Sequence, residues 1–200
     1  MIKRFRGKAL ICIGLVCILA ALGRMAWQGW EARLAEDRAR ALMAGLEQQR
    51  IVEQANANLR EQAPSGQSAV TQLADYTLVG SICFPTLGLE LPVQDSWSYQ
   101  LLKSSPCRYS GSVAGNDLIL MAHNYQKHFG RIGTLQTGDR VEVRGVDGAV
   151  TPYTVLGREI LEKDQLDELT GGEGDLTLFT CTRGGQRRVV VRCERSMTDE

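Results

Sequence analysis

LTLFTCTRGGQRRVVVRCER, from Leu176 to Arg195, sets two runs of alternating apolar residues on either side of a short glycine-containing connection. The period of two predicts two β-strands, and the paired glycines predict the turn between them. If the runs pair antiparallel with Cys181 opposite Arg188, one face carries Leu176, Leu178, Thr180, Val189, Val191 and Cys193. The other then carries Thr177, Phe179, Cys181, Arg188, Val190 and Arg192. A slip of one residue would pair Cys181 with Arg187 and scatter the apolar side chains over both faces, which burial disfavours. The pattern therefore predicts a thiol and a guanidinium side by side on the more polar face of a hairpin. A fixed cation beside a thiol favours thiolate and can hold a developing oxyanion, as acyl transfer at cysteine requires. A surface arginine beside a structural cysteine satisfies the same pattern, so the hairpin alone does not decide between them.

Upstream, from about Tyr76, the chain continues in short β-type runs separated by glycine-containing turns: VGSICFP, LELPV, DLILMAH, RVEVRGV and PYTVLGREIL. Helical interruptions are expected around Trp97–Lys103 and Lys163–Leu169. The fold class is mainly β. So many short strands need their edges satisfied, which favours a closed, partly mixed barrel of about eight strands with short helices. A sandwich shares the same run pattern.

A thiol nucleophile needs a proton carrier, and the chain has only two histidines. His123 ends the run LILMAH, where a strand would deliver its ring to a barrel rim. His128 lies in the polar stretch QKHFGR. Of the two, the strand-end histidine is the better candidate. Their spacing is not the i, i+4 of a helical zinc pair, and no cysteine pair has C-x-x-C spacing, so no metal site is expected. Cys12 and Cys17 fall in an apolar run near the start of the chain. Burial as inert thiols is the default for Cys83, Cys107 and Cys193.

MIKRFRGK carries four cations and is followed by the uncharged run ALICIGLVCILAALG, Ala9 to Gly23. About 20 apolar residues cross a bilayer, and shorter runs also occur in cleaved signal peptides. Arg24, Trp27 and Trp30 suit a membrane interface and favour a retained anchor. The cations would then stay in the cytoplasm with the remaining chain outside the cell, as a single-pass membrane protein. Glu31 to Gln62 is rich in helix formers and has no proline, which predicts a helical stalk. Leu42, Leu46, Ile51, Ala55 and Leu59 form a drifting stripe, so a solvated spacer is expected rather than a coiled coil. The expected organisation is a tail and anchor over 1–30, a stalk over 31–63, a linker over 64–75 and a catalytic barrel over 76–197. A formal net charge of zero gives no field for nucleic acid.

At this point the residues resemble a family. LTLFTC contains the TLxTC cysteine motif of the sortases, LILMAHNY resembles their histidine segment, and RVVVRCER resembles the arginine-bearing strand that follows. VGSICFPTLGLELPV is similar to the opening strand pair of the sortase barrel. The similarity runs from about Leu78 to Arg195, with four segments in the family's order. The resemblance implies a cysteine transpeptidase of Gram-positive bacteria acting on substrate proteins with C-terminal LPxTG-like sorting signals. By motif position, Cys181 attacks the Thr–Gly carbonyl, His123 protonates the departing amine, and Arg188 binds the scissile region and stabilises the oxyanion. The acceptor amine would come from a peptidoglycan precursor or a pilin, and no cofactor is required. Two other classes fit the same residues: a membrane-tethered cysteine peptidase that transfers to water, and a non-catalytic surface-binding module.

Overall fold

The computed structural model describes residues 2–57, 71–73, 76–165 and 167–196. The chain divides into two units, Met1–Leu34 and Ala35–Glu200. In the second unit the β-type runs form strands β1 Thr71–Leu73, β2 Tyr76–Phe84, β3 Leu89–Gln94, β4 Cys107–Ser110 and β5 Leu118–Met121. They continue as β6 Arg140–Gly145, β7 Val150–Glu162, β8 Leu176–Cys181 and β9 Arg187–Arg195. The order is β1-β2-β3-β4-β5-β8-β9-β7-β6, and β6 pairs back onto β2. Eight strands, β2 to β9, thus close into a barrel, with β1 added along β2. Closure removes the free edges that so many short strands would otherwise present. The β3–β4 and β5–β8 pairs are parallel and the remaining pairs antiparallel, so the sheet is mixed as expected.

Closure requires β2 to pair with β3 and β6 together. The β2–β3 register shifts between Leu78 and Gly80, and Gly80 has φ +145°. A Cβ there would overlap the Arg144 carbonyl of β6. Only glycine allows both the backbone angle and the approach.

The barrel interior holds Ile82, Phe84, Leu120, Leu178, Tyr153 and Val191, all fully buried. Two short helices stand where helical interruptions are expected. Helix α2, Tyr99–Leu102, follows an N-cap at Ser98 whose side chain accepts from the Leu101 amide, and α3 spans Asp167–Gly171.

Helix α1 spans Ile2–Ala57. Its part from Ala35 onward belongs with the barrel and corrects the expectation of a solvated stalk. Ala35, Ala39, Leu42 and Leu46 are buried, at spacings of four, three and four that form a single stripe. Leu42 and Leu46 pack against Leu78 and Val146, and Ala39 joins the barrel core. Arg50 Nη2 donates to Ser81 Oγ at 3.2 Å. The two alanines bring the helix close to the sheet, a contact role that their value as helix formers conceals. Side chains of 51–57 and all of 58–70, where the rest of the stalk and most of the linker are expected, lie outside the described residues.

In the first unit, Leu15, Ile18, Leu19, Leu22 and Trp30 are exposed. Side chains of 1–14, 16 and 25–28, which carry much of the expected anchor, are outside the described set. Among the described residues no helix is long and apolar enough to cross a membrane.

The packed stripe is testable by urea unfolding followed by tryptophan fluorescence. Leu46→Ala should lose about 2–5 kcal/mol, the cost of a buried leucine truncation. Glu47→Ala, one position round the helix and exposed, should change stability by less than about 0.5 kcal/mol. Equal, small effects would return this segment to a solvated spacer.

Candidate functional site

Three strands position the candidate residues. The β8–β9 hairpin has the register read from its hydrophobic pattern, with Leu176 opposite Cys193, Leu178 opposite Val191 and Cys181 opposite Arg188. Paired residues share a face, so the thiol and the guanidinium stem are neighbours on one side of the sheet. On the other side of β8 lies β5, parallel, pairing Leu118 with Leu176 through Met121 with Phe179.

That parallel register continues beyond the end of β5. The Ala122 amide donates to the Phe179 carbonyl at 3.3 Å, and Thr180 Oγ1 donates to the Ala122 carbonyl at 2.8 Å. Asn124 Nδ2 donates to the Thr182 carbonyl at 3.3 Å. The last two bonds keep the offset of 58 residues seen in the strand pairs, which brings His123 level with Cys181. His123, expected at a strand end, lies two residues past the end of β5 and is level with Cys181 of β8 and Arg188 of β9. Sequence reading did not single out Thr180 or Asn124, although each flanks a motif residue.

Arg188 is half-buried, and its Nη1 donates to the carbonyls of Gly185 at 3.1 Å and Arg187 at 3.2 Å. The turn thus holds the guanidinium near the rim. Arg187 is exposed, and its backbone closes the turn with Thr182.

Burial separates the cysteines. Cys107 and Cys193 have no exposed surface, and burial pushes each thiol up to about 12. Cys83 is partly exposed and raised by burial and by the nearby Glu90 and Glu142 carboxylates. Cys181 is partly open and stands at the strand end opposite Arg188. Among the described residues no His, Cys, Asp and Glu group could hold a metal ion.

The face carrying Cys181 is less polar in its surroundings than the sequence implies. Phe179, Val190 and Ile119 cluster there with Leu161 and with Leu169 of α3, while Tyr109 and Met121 pack at the margin. Tyr109 meets Phe179 edge-on at 5.4 Å and is stacked by Trp97 at 6.2 Å. This apolar floor adjoins the level of His123, Cys181 and Arg188.

His128 corrects the expectation of a histidine in a polar loop. It is fully buried, and the polar group that meets its ring is the Ala35 backbone. Tyr125, which the sequence reading also passed over, lies between the two histidines: its ring stacks on His123 at 4.9 Å and meets His128 at 5.4 Å. The turn closes through Phe129 N to His123 O at 3.2 Å and Gly130 N to Tyr125 O at 2.9 Å. Phe129 anchors it in the core by an edge contact with Phe84 at 5.7 Å. Burial, and after it the neighbouring His123, pull the His128 pKa down to about 4, while the Ala35 backbone opposes them.

The sequence pattern of the Sortase domain matches residues 82–196, more than half of the chain. The chain belongs to the sortase family. No curated protein sequence matches it significantly. Among solved structures it resembles sortase A from Corynebacterium diphtheriae, with 20% identity, TM-score 0.56, and coverage of 63% of this chain and 64% of that one. Sortase C1 from Streptococcus agalactiae shares 26% identity over 60% of this chain and 68% of that one, with TM-score 0.54. Clostridium perfringens sortase C, solved with a C-terminal cell wall sorting motif, shares 22% identity over 81% of this chain and 91% of that one, with TM-score 0.54. The chain thus spans just under two thirds of the diphtherial sortase.

The depressed His128 pKa has a calculable consequence. An unfolded histidine takes up its proton near pH 6.5, whereas the folded one resists until about pH 4. Between those values the unfolded chain binds more protons, so stability falls as pH drops through that window and levels off below it. The loss due to this residue should total about 3 kcal/mol. Urea unfolding at pH 7 and pH 4 should show the His128→Leu variant losing less stability than wild type by that order. Parallel pH curves would remove His128 as the source.

Proposed function

We propose that this sortase-family chain is a cysteine transpeptidase that cleaves LPxTG-like sorting signals. Cys181 is its nucleophile, His123 its general acid and base, and Arg188 its oxyanion and substrate cation. The observation that carries this reading is the shared level of His123, just past β5, with Cys181 of β8 and Arg188 of β9. Cys181 is partly open, whereas burial closes off Cys107 and Cys193 and the thiol of Cys83 is raised by burial and nearby carboxylates, which supports the same nucleophile. The sorting motif solved with Clostridium perfringens sortase C supports the substrate class.

The thiolate of Cys181 attacks the Thr–Gly carbonyl and its electron pair moves onto the oxygen, where the Arg188 guanidinium offsets the developing charge. His123, protonated, gives its proton to the glycine nitrogen as the C–N bond breaks, leaving a thioester on Cys181. An acceptor amine then attacks the thioester, His123 takes up the proton it loses, and the thiolate departs. A wall precursor or a pilin lysine supplies that amine. The N-terminal cations, the Ala9–Gly23 run and the two following tryptophans support retention at the membrane with the barrel outside.

The test is to incubate the full chain in mild detergent with LPxTG-type peptides, with and without an added amine, and follow the adduct and product by mass spectrometry. A thioacyl adduct on Cys181 and amine-dependent ligation are expected. Adduct followed by hydrolysis alone would make the chain a peptidase, and an unreactive Cys181 a binding module. Cys181→Ala should abolish the adduct and Cys107→Ala should spare it. His123→Ala should cost about 10² to 10⁴ in rate and His128→Ala less. Arg188→Ala should cost about 10² to 10³ in turnover, with Arg187→Ala near wild type. The reverse order for the arginines would overturn the assigned oxyanion donor.

A further inference from the structure

Arg192 stands on β9, on the same face as Arg188 and Cys181 but deeper along the sheet. Its residue is only 8% exposed, unusual for a guanidinium. Burying that charge costs several kcal/mol unless its donors are met. Here they are met from three directions. Nε donates to Glu159 Oε1 of β7 at 2.9 Å, and Nη1 to Thr177 Oγ1 of β8 at 2.9 Å. Nη1 also donates to the Leu169 carbonyl at 2.9 Å, and Nη2 to the Glu168 carbonyl.

The two carbonyls belong to α3, in the connection from β7 to β8. At its ends the connection is held by Gln165, which bonds the Glu162 backbone, and by Asp175, which bonds β9. Gly171, Gly172 and Gly174 follow in quick succession, and glycine adds backbone freedom. An open cavity of about 660 Å³ lies between it and β7, lined by Gly157, Arg158, Glu159, Asp167, Gly172 and Arg192. Between those ends the guanidinium bridges α3 to β7 and β8. Leu169 is thereby seated, 1% exposed, on Phe179 and Val190. Those residues are one same-face step from Cys181 and Arg188.

We propose that Arg192 is a positioning residue for substrate binding: it straps the β7–β8 connection to the sheet and so fixes the apolar surface of Leu169, Phe179 and Val190 beside Cys181. The proposal rests on the transpeptidase reading above. Arg192 itself stays away from the reacting atoms and acts through α3. A peptide lying across the outer face toward Cys181 meets that surface, so releasing the strap weakens peptide binding and leaves the chemistry at the thiol intact.

The experiment uses the full chain and the peptide that wild type turns over best, with Arg192→Met, Arg192→Lys, Gly172→Ala and Leu169→Ala. Gly172→Ala matters because its Cβ would overlap the guanidinium, displacing the strap while Arg192 remains. Arg192→Met and Gly172→Ala should each raise KM about tenfold or more, with kcat within about threefold of wild type. Iodoacetamide should alkylate Cys181 at the wild-type rate in both. Arg192→Lys should recover part of the affinity, because a point charge reaches fewer of the acceptors than the planar fork does. Leu169→Ala combined with Gly172→Ala should raise KM no further than the stronger single change, since both act on one surface. Hydrogen exchange in Gly172→Ala should quicken within 163–175 and be unchanged at Cys181. Unchanged KM in folded Gly172→Ala protein would overturn the proposal, as would an equal loss in kcat and alkylation. If wild type turns over no peptide, the transpeptidase reading fails. The exchange result then decides the strap by itself: unaltered protection over 163–175 refutes it, and local loss upholds it.

Discussion

The parallel pairing of β5 with β8 is the constraint on which the rest of the structure depends. Parallel neighbours cannot be joined by a tight turn, so the chain between them must leave and return. Here it builds β6, β7 and α3 on the way. These elements close the barrel onto β2 and bring β7 alongside β9. The pairing also carries a fixed offset past the strand end, through the bonds of Ala122 and Asn124, so that His123 stands level with Cys181. The antiparallel return of β9 then supplies Arg188 at the same level. A slip of one residue in either pairing would send one of the three to the wrong face.

Strand β8 is buried on both faces for most of its length, and that determines where chemistry can happen. Its inner face packs in the barrel core through Leu176 and Leu178, and its outer face lies under α3 through Phe179. Cover stops at Cys181, which is partly open. The interior cysteines are disfavoured as thiolates by the same burial that makes them good core residues, while the strand-end thiol keeps access to solvent and to a cation. The rigid sheet thus ends in an accessible rim, the arrangement that lets a scaffold hold reactive groups in place.

Behind the rim, aromatic rings pack in series. Tyr125 stacks on His123 and rests on a buried, neutral His128, with Phe129 anchored against Phe84. The helical segment beginning at Ala35 adds to the enclosure, with Glu36 pairing to Lys127 at 3.6 Å. Burial leaves His128 little to stabilise a charge, so the enclosure favours the neutral ring. A segment that composition marks as a spacer is therefore part of the domain's packing.

The sequence by itself determined what depends on local periodicity. Alternation over Leu176–Cys181 and Arg188–Cys193 selected the hairpin register, since only one register gathers the apolar side chains on one face, and it distinguished Arg188 from Arg187. Turn residues and short runs were enough for a mainly β fold with two short helical interruptions, while a sandwich shared the pattern of the barrel. Tertiary structure alone decided the rest. The level of His123 with Cys181 comes from a pairing across 58 residues that no local pattern records. The burial of His128 comes from elements distant in sequence, so its polar neighbours Gln126 and Lys127 misrepresent its surroundings. The α1 stripe was obscured because Ala35 and Ala39 contribute closeness rather than hydrophobic bulk. The outer face of the hairpin, polar by residue type, became a buried floor because Arg192 found carbonyl and carboxylate partners on α3 and β7. A side chain's type fixes what partners it needs, and only the folded chain decides whether they are there.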